Sequence, residues 1–134
     1  VAEKLPDTLA LREIKYGERV PEAKRRKAAW DLFQAGRVYD ALDVFLLAKD
    51  EKGIAEVRAR AVKEGLPVLL LMLKRAGVLP TAKEWSEAGE AAFSVDRFRE
   101  AFRCFQEAGD EAGLERVKEK LPDYGIYTPQ GKET

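Results

Sequence analysis

Shifted by 60 residues and without a gap, this chain lies over itself: residues 28–57 match residues 88–117 at ten of thirty positions. The identities are Ala28/Ala88, Phe33/Phe93, Arg37/Arg97, Ala41/Ala101, Phe45/Phe105, Ala48/Ala108, Asp50/Asp110, Glu51/Glu111, Gly53/Gly113 and Val57/Val117. Roughly two would arise from ordinary composition. Self-similarity at such a period marks a repeated unit of stacked helices, in which neighbouring units supply one another's core. It describes a scaffold and not an active site.

The second copy is the clearer one. Trp85, Ala88, Gly89, Ala92 and Phe93 recur at the spacing of one helical stripe. Thr81 with Glu84, just after Pro80, is a capping-box start. A second stripe of Phe98, Ala101, Phe102, Phe105 and Ala108 is opened by Asp96 as N-cap and closed by Gly109. The short link between them makes an antiparallel hairpin. Asp110 caps a third helix carrying Leu114, Val117 and Leu121, which Pro122 ends. In the first copy the stripes are Ala28, Ala29, Leu32 and Phe33, then Val38, Ala41, Leu42, Phe45 and Ala48, then Ile54, Val57, Ala61 and Val62 up to Gly65. Small residues at Ala41, Ala48, Gly89, Ala101 and Ala108 let the paired helices approach closely.

The spacing of Trp85, Gly89, Ala101, Phe105 and Ala108 resembles the signature of the tetratricopeptide repeat, and Ala41, Phe45 and Ala48 match its second half in the first copy. The sequence departs from that pattern at Arg25 and Ala29, where tryptophan and glycine belong, and at Gly53 and Gly113, where the closing proline belongs. The period also exceeds the 34 residues of a regular array by about 26. The resemblance implies an all-α protein, a right-handed α-α superhelix of about seven helices in one domain. Repeat units span 22–64 and 81–120, a linking helix 66–76, and an irregular tail 121–134.

Between the copies, Val68 to Leu73 are apolar without interruption, which predicts a short helix buried on every side. Leu46 and Leu47 become Gln106 and Glu107 in the second copy, so the first hairpin is expected to be covered on both faces and the second to turn one face to water. Residues 7–16 read as a short helix with Leu9, Ala10 and Ile14 on one side; 121–134, with two prolines, two glycines and two tyrosines, read as an extended tail.

Chemistry has little to work with. Lysine plus arginine and aspartate plus glutamate number 24 each, so no net field draws the chain to a polyanion or an anionic membrane. One cysteine and no histidine exclude an internal disulfide and leave no soft metal set. A cytoplasmic, soluble protein with no export signal, no cofactor and no metal is expected. Cys104, whose counterpart is Val44, reads as a buried structural thiol. Glu51, Asp110 and Glu111 stand at helix starts, where carboxylates complement the dipole.

The resemblance places the first helix of each hairpin on a concave groove. That groove would be lined by Arg26, Trp30, Phe33 and Gln34 from the first copy and Lys83, Ser86, Glu90 and Ser94 from the second. Trp30, off the buried stripe, would be its anchor, unless Leu9 and Ile14 of the N-terminal segment cover it. The lysine and asparagine set that clamps a peptide carboxylate in some members is missing. The expectation is a non-catalytic adaptor that binds a protein or peptide by its groove or a hydrophobic edge. Two alternatives stand beside it: a self-associating subunit, and a nucleic-acid binder using Lys24, Arg25, Arg26 and Lys27.

Overall fold

The computed structural model describes residue 5, residues 7–17 and residues 19–121. Among them are eight α-helices and no strand, so the fold is all-α. The helices are α1 (Thr8–Tyr16), α2 (Glu22–Gln34), α3 (Val38–Ala48), α4 (Glu51–Glu64), α5 (Pro67–Arg75), α6 (Ala82–Ser94), α7 (Phe98–Ala108) and α8 (Glu111–Lys120). The chain divides into two compact units, one ending at Ala59 and the other beginning at Arg60. Of the tail expected over 121–134, all but Leu121 lies outside the described residues.

The two units follow one plan. α1 packs on α2 and α3 in the first, and α5 packs on α6 and α7 in the second. Lys15 of α1 reaches α3, while Lys74 of α5 reaches Glu107 of α7. The repeat therefore has four helices, and the stretch between the copies is the end of α4 followed by the helix that opens the second unit.

Each hairpin turn is closed in the same way. The amide of Arg37 donates to the Leu32 carbonyl at 2.9 Å and that of Arg97 to the Ala92 carbonyl at 2.9 Å, around a left-handed residue, Gly36 (φ 86°) or Asp96 (φ 63°). This is the Schellman closure. It corrects the expectation that Asp96 is an N-cap: the link is so short that Asp96 must supply the left-handed turn, and Arg97 becomes the N-cap with no side-chain bond. The predicted capping box holds, with Thr81 Oγ accepting from the Glu84 amide at 3.0 Å and Glu84 Oε1 accepting from the Thr81 amide at 2.9 Å. Asp110 caps α8 by accepting from the Gly113 amide at 2.9 Å.

Gly53 and Gly113 have a shared cause. A Cβ on Gly113 would lie 2.5 Å from Cδ1 of the buried Phe105 ring, and one on Gly53 would strike the Phe45 ring at still closer range. The phenylalanine of each second helix thus seats on the first turn of the third, where no side chain fits. In the second unit Gly89 makes room for the same ring from α6; Ala29 stands there in the first. Ala92, Ala101, Phe102, Phe105 and Val117 form one buried cluster, flanked by Phe93, Phe98 and Leu114.

Three sequence expectations are corrected. α5 is buried through Leu69, Leu70 and Leu73 but leaves Val68 52% exposed, so it is covered on one side and not all round. α1 buries Leu11 and Ile14, three residues apart, while Leu9 and Ala10 face outward. Leu47 is 41% exposed, whereas Glu107 at the same place in the second unit is half-buried beneath Lys74. The leucine pair therefore does not mark a hairpin covered on both faces.

Candidate interaction surface

The expected groove residues are best followed unit by unit. In the first, α2 sets Arg26 and Trp30 one turn apart, and both point to Asp50, the residue that opens α4. The indole N–H of Trp30 donates to Asp50 Oδ2 at 3.0 Å, Arg26 Nε lies 3.5 Å from the same oxygen, and the Gly53 amide donates to Oδ1 at 3.1 Å. Asp50 is 8% exposed, and those three donors are what make a buried carboxylate tolerable. Trp30 also packs edge-on against Phe45 (ring centroids 5.0 Å apart) and Phe33 (5.8 Å). Its polar handle is already used, and its ring is partly covered from within the unit. Of the two residues expected to cover it, Leu9 is 74% exposed and Ile14 is buried. Gln34 is exposed at the end of α2.

In the second unit the equivalent tie is thinner. Ser86 Oγ donates to Asp110 Oδ2 at 3.0 Å, in the place of Arg26 and Asp50. Glu90, in the place of Trp30, is exposed and pairs with Arg116 of α8, whose guanidinium also lies 4.4 Å from the Phe93 ring centre. The bond to Glu90 raises the Arg116 pKa. Lys83 is exposed. Each expected residue therefore sits on the first helix of its hairpin, and Arg26, Trp30, Ser86 and Glu90 are tied to the start or body of the third helix of the same unit.

The basic run of α2 is committed within the protein. Arg25 turns inward, its guanidinium donating to the carbonyls of Ile14 at 2.8 Å and Gly17 at 2.9 Å, where it closes the end of α1. Lys27 pairs with Asp31 at 3.0 Å. Cys104 is fully buried, and burial pushes its thiol up to about 12, which leaves little thiolate near neutral pH. No group of three or more metal-ligating side chains occurs among the described residues.

A different face stands out when the copies are compared position by position, because each serves as a control for the other. On α7, Arg99, Arg103, Gln106 and Glu107 stand at the places where α3 carries Tyr39, Asp43, Leu46 and Leu47. Tyr39 is 43% and Leu47 41% exposed. The second unit builds the same hairpin with charged and polar side chains at these positions, so the fold does not require apolar ones. Asp40 and Asp43 flank the patch, held by Lys15 at 3.2 Å and 3.1 Å. Burial disfavours the charge of Lys15, but its bonds to Asp43 and Asp40 outweigh that and raise its pKa. The sequence predicts burial for this leucine pair; the signal that identifies the surface is exposure of Leu47 in one copy against charge at Glu107 in the other.

No described helix is long and apolar enough to cross a membrane. Comparison with family models, with curated proteins and with solved structures gives no match to this chain.

Proposed function

We propose that the chain is a non-catalytic protein-binding module, a tetratricopeptide-like adaptor whose partner docks on the outer edge of the first unit. The observation that carries this reading is the contrast between exposed Tyr39 and Leu47, with half-buried Leu46 beside them, on α3 and the polar set at the matching positions of α7. Exposed aromatic and aliphatic side chains beside a carboxylate rim suit a protein surface with apolar and basic groups. The same carboxylates repel a phosphate backbone, and three of the four cations at 24–27 already have internal partners, which disfavours nucleic acid. The fold-level resemblance supports binding as a class of function and nothing narrower.

The test compares what the wild-type chain and a Tyr39→Arg, Leu47→Glu variant capture from an extract of the source cells, with Trp30→Ala alongside. Loss of a defined partner by the double variant, with its melting unchanged, supports the α3 edge. Loss only with Trp30→Ala moves the site to the groove lined by Arg26, Phe33 and Gln34. An identical set of captured proteins for all three overturns the reading.

A further inference from the structure

The short helix that opens each unit carries the same anchors. Leu11, Ile14 and Lys15 of α1 have the spacing of Leu70, Leu73 and Lys74 of α5. In both, the two apolar side chains are buried and the lysine reaches a carboxylate on the second helix of the hairpin. Each hairpin thus receives a short amphipathic helix with a cation beside its apolar pair. This is the helix-in-groove mode of recognition, used within one chain.

The two helices are held differently. α5 buries four of its nine residues, and on α6 the buried Trp85 stands where α2 has Arg25. α1 buries two of its nine, and its outer face is open, Leu9 and Tyr16 each being 74% exposed. Arg25 spends its guanidinium on main chain, the carbonyls of Ile14 and Gly17, so it recognises the end of a helix and not the side chains that compose it. Lys15 meets Asp43 and Asp40, whereas Lys74 meets Glu107, whose counterpart is Leu47. α1 therefore sets its lysine nearer the start of α3 and leaves Leu47 uncovered. Water reaches both aspartates, 32% and 44% exposed, and ion pairs so open add little stability. An element resting on two apolar side chains and a few polar ties opens locally more readily than the helices beneath it.

We propose that α1 is a displaceable occupant of a helix-binding seat on α2 and α3, and that a partner enters this seat as a short amphipathic helix of the same pattern. The pattern is two apolar residues three apart followed by a lysine. Asp40 and Asp43 receive the cation, and Arg25 the last carbonyls of the helix. α1 is then a built-in competitor: tethered beside its own seat, it acts at an effective concentration on the order of millimolar and excludes weaker helices. The proposal rests on the protein-binding reading and deepens it, giving the partner's form and a seat beside the α3 edge.

Two measurements on the full chain test it. In native-state hydrogen exchange the amides of Leu11 to Tyr16 are expected to open at least about a hundredfold more often than those of α2 and α3. The second measurement is the fluorescence anisotropy of a labelled, C-terminally amidated peptide of residues 7–17. Ile14→Asp, which unseats α1, should bind the peptide at least about tenfold more tightly than the wild type, whose own helix competes. Asp43→Lys in that background should weaken binding about tenfold, and a Lys15→Glu peptide should recover part of the loss. Should Ile14→Asp fail to fold, Lys15→Glu, which alters only the ion pairs, releases the same helix. Neither Tyr39 nor Leu47 enters the titration, so failure here and failure of the α3 edge are read separately. Amides of α1 as protected as those of the hairpin, no binding by the released chain at about 1 mM peptide, or binding indifferent to the charge at position 43 would overturn the proposal.

Discussion

Replacing Gly113 by alanine should destabilise the protein, although the bare helix favours alanine. Gly113 lies in the first turn of α8, where intrinsic preference alone gives alanine about 1 kcal/mol. The new Cβ would stand 2.5 Å from Cδ1 and 2.6 Å from Cγ of Phe105, against roughly 3.5–4.0 Å for carbon atoms in ordinary contact. Something must move by about 1 Å. The ring is fully buried and has little room to yield, because Gly89 approaches it from α6 to a distance that would put a Cβ 2.5 Å from Cε1. Overpacking of this severity belongs at the upper end of the usual 1–3 kcal/mol, so the net loss is about 2 kcal/mol. Urea unfolding should show it as a lower midpoint at unchanged slope, and melting as a fall of roughly 5–10 °C. Phe105→Leu in the Gly113→Ala background should recover part of the loss, with a coupling above about 0.5 kcal/mol. A Gly113→Ala protein as stable as the wild type, or more stable, would mean that the ring does not seat on this turn.

Three further outcomes follow from the same geometry. Lys49 closes α3 with a left-handed backbone (φ 55°) where α7 uses Gly109 (φ 69°), so Lys49→Gly should raise stability by about 1 kcal/mol and Gly109→Ala lower it by a similar amount, both read by urea unfolding. Asp50→Ala removes a helix cap and leaves the Trp30 indole without its acceptor, and should cost about 2–3 kcal/mol; Asp110→Ala, which strands only a hydroxyl, should cost about 1 kcal/mol in the same assay. Burial works against the charge of Asp40, but bonds from Arg37 and Lys15 outweigh it and hold its pKa below the ordinary 3.8. Its contribution is complete above that value and lost as pH falls through the lower folded one, so Asp40→Asn should flatten the decline of stability in acid; an unaltered acid limb would refute the assignment.

The fold was legible where a local signal and a repeated one agreed. Thr81 with Glu84, the stripe from Phe98 to Ala108, and Gly109 and Asp110 at its end each point to a boundary by a known interaction, and each is where the structure has it. Gly53 and Gly113 were visible only as a departure from a family pattern, since the reason is a phenylalanine eight residues earlier in the chain and in another helix. Asp96 misled because aspartate serves equally as an N-cap and as a left-handed residue, and only the length of the turn decides. Val68 and Leu47 misled for a different reason: an apolar side chain in a helix predicts burial only if something lies over it, and periodicity does not say what does. Trp30 was singled out correctly as lying off the main stripe, but its bond to Asp50, twenty residues on, has no sequence signature apart from the identity of Asp50 and Asp110.

The unfolding free energy of the Tyr39→Arg, Leu47→Glu variant bears most directly on the idea that α3 carries apolar groups its own hairpin does not need. The substitutions install what α7 has at the same positions. The introduced arginine would gain Asp43 one turn on, while the introduced glutamate would face that same carboxylate, two small effects of opposite sign. A change within about 0.5 kcal/mol of the wild type is expected, as for surface positions. A loss of about 2 kcal/mol or more, the size of a core truncation, would show that Tyr39 and Leu47 hold the first unit together, and the docking edge would have to be given up.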